Sequence, residues 1–347
     1  MFLSILFNIR NNDISSIALS ITRVLFIFAT IYSVRYFSKY YSSYYIFKII
    51  FLISLLQLPL GLIEFYFFKI PGLYQVDVAS GTFGYSMHGP LSFFQIIMII
   101  LVSKSNVDWV EKYRYIINIG LGISILFTFS GGGMLALMLV SPFLFRGSFK
   151  RVLGTVIGSM FIVLIIYFGS AIIAQKFGNT ASNLNLMSYG YDQFIASINI
   201  FEKNNKYYEN RSRGYAMRNA FSYVSHSPEK LLFGEGSGSL TSSFALDKES
   251  YLESKLFATK PVINTPSFFI VENGLVFLIL ISIYVYRMIT YKHTINNQII
   301  LAIVFTAYYF YYNIFFHHQV LIALLIAHKI LFEGNDERNE IHNYSAI

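Results

Sequence analysis

The chain has no cysteine, one tryptophan (Trp109) and only seven prolines in 347 residues. Without cysteine, disulfides, thiol catalysis and cysteine-ligated metal centres are excluded. Charge is scarce too. Asp, Glu, Lys and Arg make up 13% of the residues, where soluble domains carry about 25%. Too few charged groups remain to coat a water-facing surface. No DxD-like acidic cluster is present to hold a metal ion. The net charge of +8 requires no nucleic acid, because anionic lipid and the positive-inside rule account for it.

What fills the chain instead is apolar and aromatic. Hydrophobic residues make up 55% and aromatic ones 18%, including 35 Phe and 27 Tyr. Tyr40, Tyr41, Tyr44 and Tyr45 sit at the edges of apolar windows, the place for rings at a headgroup boundary. A helix needs about 20 apolar residues to cross roughly 30 Å of hydrocarbon. Nine windows are candidate spans: Ile14–Val34, Ile46–Phe68, Ser86–Ser103, Tyr115–Phe129, Gly131–Phe145, Val152–Ile173, Pro266–Tyr286, Ile299–Phe315 and Val320–Phe332. Ser130-Gly131-Gly132-Gly133 predicts a turn between two short spans, since glycine costs about 1 kcal/mol per residue inside a helix. The first nine residues are apolar but too short to span. They lead into Arg10 without a small-residue cleavage site, so an interfacial segment is expected there rather than a cleaved signal. The expected fold class is an all-α polytopic membrane protein with about nine to ten transmembrane helices. Its parts are an N-terminal bundle (1–173), one large outer loop (174–265), C-terminal transmembrane helices (266–333) and a cytoplasmic tail (334–347).

Positive charge sets the expected orientation. Arg35, Lys39 and Lys48 lie on one set of alternating connections, with Lys104, Lys112, Arg114, Arg146, Lys150, Arg151, Arg287, Lys292, Lys329 and Arg338. That set is assigned to the cytoplasm. The 69–85 loop, the glycine turn, the 174–265 loop, the His317-His318 pair and the N-terminus then face outward.

The long loop carries most of the candidate chemistry. Ser212–His226 predicts a helix with Ser212 as N-cap. Ala216, Ala220 and Val224 share one face, and Pro228 lies just past the end. Arg211 and Arg218 fall on one face of this helix and Arg213 on another. Guanidinium groups bind phosphate oxygens in pairs, so this cluster suits a lipid pyrophosphate. The same pattern also fits a solvated basic face beside anionic headgroups. The Gly234-Glu235-Gly236-Ser237-Gly238 run offers backbone N–H groups for an anion-binding nest. His88, in Gly81-Thr-Phe-Gly84-Tyr-Ser-Met-His88-Gly89-Pro90, sits at the predicted water boundary. It suits a phosphate donor, a base, or an interfacial histidine in a glycine-rich turn. His317 and His318 point apart on a helix and make a poor metal pair. A hydrogen-bonding role at an outer vestibule remains for them. Arg23, Glu64 and Glu272 are charges within or near apolar windows, where ionisable groups are costly and mark function by default.

In this order the segments resemble the Wzy-type O-antigen polymerases and the related O-antigen ligases, bacterial membrane glycosyltransferases of the GT-C kind. Gly81-Thr-Phe-Gly84 is similar to the family's first outer glycine motif. Leu126-Phe-Thr-Phe-Ser130-Gly-Gly-Gly133 is similar to its LTLSRG turn. Ser212-Arg213-Gly214, Pro228 and Leu232-Phe-Gly234-Glu-Gly236-Ser-Gly238 are similar to its large-loop signature. Pro266-Ser-Phe-Phe-Ile-Val-Glu272-Asn-Gly274-Leu275 is similar to the start of the span that follows. The similarity covers about residues 75–290. Two departures stand out. Gly131 follows Ser130 where the family often has Arg. Ile263-Asn264-Thr265 stands where ligases carry a histidine, which favours polymerase over ligase.

The resemblance implies a GT-C-like fold and a metal-independent glycosyl transfer without cofactor. The substrate would be an undecaprenyl-pyrophosphate-linked oligosaccharide at the outer side of the bacterial inner membrane. The product would be O-antigen, capsular polysaccharide or exopolysaccharide. A chain-length regulator and a flippase of the same pathway would be partners. Arg213 and Arg211, with His88, are the implied catalytic residues. Arg218, Gly234, Gly236, Gly238, Glu235, Glu272, His317 and His318 are the implied substrate contacts. A ligase and a lipid-linked oligosaccharide flippase are the alternatives.

Overall fold

The computed structural model describes residues 14–41, 43–67, 81–83, 88–105, 107–128, 130–144, 213–236, 238–240, 252, 256, 264–290, 295–311 and 320–329. The described residues are helical, with no strand among them. In chain order the helices are α1 (Ile14–Tyr40), α2 (Ser43–Phe67), a 3-10 turn at Gly81–Phe83, α3 (His88–Lys104), α4 (Asp108–Phe127) and α5 (Gly131–Leu144). Then come α6 (Arg213–Val224), α7 (Pro228–Phe233), α8 (Thr265–Thr290), α9 (Ile295–Tyr311) and α10 (Val320–Lys329). The expected span Val152–Ile173 lies outside the described residues. Among those described, one segment, Thr265–Tyr284, is a helix long and apolar enough to cross a membrane. Tyr45–Gly61, Gly89–Lys104, Gly132–Leu144, Ile295–Phe310 and Val320–Lys329 are shorter apolar helices.

The chain divides into two compact units, one of Met1–Ser33, Ile195–Tyr291 and Thr306–His318, the other of Val34–Phe194, Lys292–Phe305 and Gln319–Ile347. In the second unit α3 is the central helix. It packs against α2, α4, α5 and the 3-10 turn, and Gly89–Val102 is buried throughout. A helix enclosed on all sides is apolar all round, and Gly89–Val102 has polar side chains only at Ser92 and Gln95. Gln95 Nε2 donates to the Ser54 carbonyl at 3.1 Å and to Ser124 Oγ at 3.2 Å, while Ser54 Oγ donates to Gln95 Oε1. One amide thus joins α2, α3 and α4.

The turn at Gly81–Phe83 is held from α2. Glu64 Oε2 accepts the Gly81 N–H at 2.6 Å and Gln57 Oε1 accepts the Thr82 N–H at 2.9 Å. Gln57 and Glu64 are seven apart on one helix face, which is why both reach the same turn. Ser130 caps α5: its Oγ accepts the Gly133 N–H at 3.2 Å. The break in the chain therefore falls at Thr128–Ser130, and Gly131–Gly133 form the first helical turn rather than a loop. Gly133 is needed for close approach, because a Cβ there would run into the Ser92 side chain of α3.

Parts of α2, α4 and α8 expose apolar side chains. Leu52, Leu55, Leu56 and Ile63 of α2 are exposed, as are Ile116 and Ile119 of α4 and Ile279, Leu280 and Ile283 of α8. The buried positions instead include Ser54, Gln57, Ser92, Gln95 and Ser124 in one unit and Ser267, Glu272 and Asn273 in the other.

Candidate functional site

The first unit is organised around the start of α8. Asn264 caps this helix: its Oδ1 accepts the Ser267 N–H at 3.0 Å, and Ser267 Oγ accepts the Asn264 N–H at 3.1 Å. This is a reciprocal cap of the kind that satisfies orphan first-turn donors. Asn264 Nδ2 also donates to the Phe310 carbonyl at 3.0 Å.

Helix α8 is broken at Gly274, which has φ 74° and ψ −179°. The break frees the carbonyls of Val271 and Glu272 from their usual partners four residues on. The long loop supplies replacements. The Glu235 N–H donates to the Val271 carbonyl at 2.7 Å, and the Gly236 N–H donates to the Glu272 carbonyl at 3.2 Å. The Leu240 N–H donates to the Glu272 carboxylate at 3.1 Å. Two glycines allow the backbones to touch. A Cβ on Gly234 (φ 76°) would lie 2.6 Å from the Asn273 nitrogen, and one on Gly274 would strike the Leu232 carbonyl. Glu272 is fully buried and Glu235 is 7% exposed.

Helices α6 and α7 pack on α8. Ala216, Ala220 and Val224 are buried, as the spacing predicts. The helix starts at Arg213 and ends at Val224, slightly inside the expected bounds, and Pro228 opens α7 at a position that lacks a free N–H without cost. Tyr223 Oη donates to Glu235 Oε1 at 2.7 Å. The Lys230 ammonium pairs with the same oxygen and lies 5.4 Å from the centre of the Tyr223 ring.

The expected nest at Gly234–Gly238 differs in kind from what is found. Gly234, Gly236 and Gly238 have positive φ (76°, 102° and 100°), as a nest demands. The N–H groups of Gly234, Glu235, Gly236, Ser239 and Leu240, however, all donate to protein oxygens. The N–H groups of Glu235, Gly236 and Leu240 bind the broken helix, and those of Gly234 and Ser239 donate to the carbonyls of Lys230 and Gly236. Glu235 and Glu272 serve the same attachment, one through its own N–H and carboxylate, the other through its carbonyl and carboxylate.

Arg218 is exposed, two positions from buried Ala216 and so on the far side of α6 from α8. Arg213 and His88 are the first residues of α6 and α3; their side chains, and all of Arg211, His317 and His318, lie outside the described residues. Among the described residues no group of three His, Asp or Glu is placed to hold a metal ion. Tyr223, Lys230 and Asn264 were not expected from sequence. Asn264-x-x-Ser267 is a readable capping signal. Tyr223 and Lys230 carry no such signal, because their importance comes from a partner in a different segment.

No protein-family model matches the chain, and neither does any curated protein or solved structure.

Proposed function

We propose that this chain is a multi-pass glycosyltransferase of the bacterial inner membrane, GT-C-like in fold. It polymerises undecaprenyl-pyrophosphate-linked repeat units into O-antigen or a related surface polysaccharide. The observation that carries the reading is the seating of Leu232–Gly236 on Val271–Gly274. Two separate segments that resemble the polymerases meet there, through glycines whose conformations leave no room for a side chain. The exposed apolar residues along α2, α4 and α8 support the membrane assignment, since soluble monomers rarely expose large contiguous apolar patches.

In the proposed reaction a sugar hydroxyl of one lipid-linked unit attacks the anomeric carbon of another. The anomeric C–O bond to pyrophosphate breaks, the leaving group takes the electron pair, and the hydroxyl proton passes to solvent or a base. Pyrophosphate leaves readily, so the task of the protein is alignment of two lipids and stabilisation of phosphate charge. Arg213, with Arg211 or Arg218, would supply that charge without a metal ion.

The test is deletion of the gene in its host, with surface polysaccharide run on a gel beside strains complemented by wild type, Arg213→Ala or Arg213→Lys. The polymerase reading expects the deletion strain to collapse to a single repeat unit on its anchor. Arg213→Ala should behave like the deletion, and Arg213→Lys should restore little, because an ammonium lacks the guanidinium fork. Loss of all anchored sugar with long polymer still on undecaprenyl pyrophosphate would mean a ligase. Single units confined to the cytoplasmic leaflet would mean a flippase.

A further inference from the structure

The proposed chemistry needs the arginines of α6 held at a set distance from α8, and one residue touches every helix involved. Glu235 accepts the Tyr223 hydroxyl of α6 and the Lys230 ammonium of α7 on a single carboxylate oxygen. Its own N–H donates to the Val271 carbonyl of α8 at 2.7 Å. It is nearly buried, and Lys230 supplies the opposite charge that a desolvated carboxylate requires. Gly234 and Gly236, both with positive φ, flank it and let the main chain lie directly on α8.

We propose that Glu235 is a positioning residue that fixes α6, and with it Arg213 and Arg218, relative to the break in α8. The inference rests on the polymerase reading for its consequence in activity, but not for its geometry. Tyr223 and the two arginines belong to one twelve-residue helix, so a shift at Tyr223 moves all three. A misplacement of about 1 Å costs a reaction of this kind up to about a hundredfold.

The test exploits the absence of cysteine. Ser222→Cys on the exposed side of α6 and Ile279→Cys on the exposed side of α8 give the only two spin-labelling positions in the full-length protein. Their distance distribution is measured by pulsed electron resonance, and polymer formation by the gel ladder. Glu235→Ala should broaden the distribution and cut polymer formation by about a hundredfold. Tyr223→Phe should do the same in weaker form and covers the case in which Glu235→Ala fails to fold. Glu235→Gln keeps an acceptor oxygen for Tyr223, so it should restore both the narrow distribution and most of the ladder. An unchanged distribution in Glu235→Ala or Tyr223→Phe overturns the proposal. So does Glu235→Gln with a narrow distribution and no polymer, because the carboxylate would then act chemically rather than by position. If the wild-type protein makes no polymer, the polymerase reading fails, and the distance distributions still decide whether Glu235 holds α6.

Discussion

Around Gln95 the buried polar groups are neutral, and they join helices through side chains: one amide serves Ser54 and Ser124 on two neighbouring helices. Around Glu235 and Glu272 they include two carboxyl groups, and the attachment is mostly main chain: loop N–H groups stitched to the carbonyls freed by a broken helix. The difference has a physical origin. Two unbroken helices satisfy most of their own backbone groups, so a side chain makes each bond between them, even where it reaches the Ser54 carbonyl. A helix broken at Gly274 exposes carbonyls that must be paired when buried, and a glycine-rich loop is the segment that reaches them. Neutral side-chain seams hold a scaffold together. The costlier buried carboxylates occur where a loop that bears arginines is attached.

The largest effect should come from disturbing the main-chain attachment. Gly274→Val places a branched side chain at φ 74°, against the Leu232 carbonyl. The purified protein should lose about 3 kcal/mol of stability, read as a fall in the midpoint of thermal unfolding. A valine variant as stable as wild type would show that the loop and helix do not meet through that glycine. Gln95→Leu keeps the volume and removes the amide. It should cost about 1–2 kcal/mol by the same measurement. A loss as large as that of Gly274→Val would erase the contrast between seam and stitch. The smallest change should be at the cap. Asn264→Ala should cost about 1 kcal/mol and Asn264→Ser much less, since a serine oxygen also accepts the first-turn N–H. Equal losses in the two variants would assign the role of Asn264 to its donor bond with the Phe310 carbonyl instead.

Much of the helical framework was readable. The α6 face of Ala216, Ala220 and Val224 and the end before Pro228 follow from local spacing, and the apolar windows from Ser86 and Pro266 fall within two residues of the observed starts of α3 and α8. The break near Ser130 was readable as well, but not that the three glycines enter the helix, because only the neighbouring Ser92 requires a residue without Cβ at Gly133. At the candidate site the glycines of the loop and the buried position of Glu272 attract notice in sequence. Their relation does not. The N–H groups of a Gly-x-Gly-x-Gly run read equally well as a site for a phosphate or as partners for a protein carbonyl.

By itself the sequence determined the helical character of the described residues, the absence of thiol chemistry and the scarcity of charge, because these follow from composition and from patterns a few residues long. Only the tertiary structure decided that Gly234 lies against Glu272 and Asn273 and Gly274 against Leu232, that Asn264 caps α8, and that Tyr223 and Lys230 share one oxygen of Glu235. Those outcomes depend on which carbonyls a distant broken helix leaves unpaired. No local pattern in the loop carries that information.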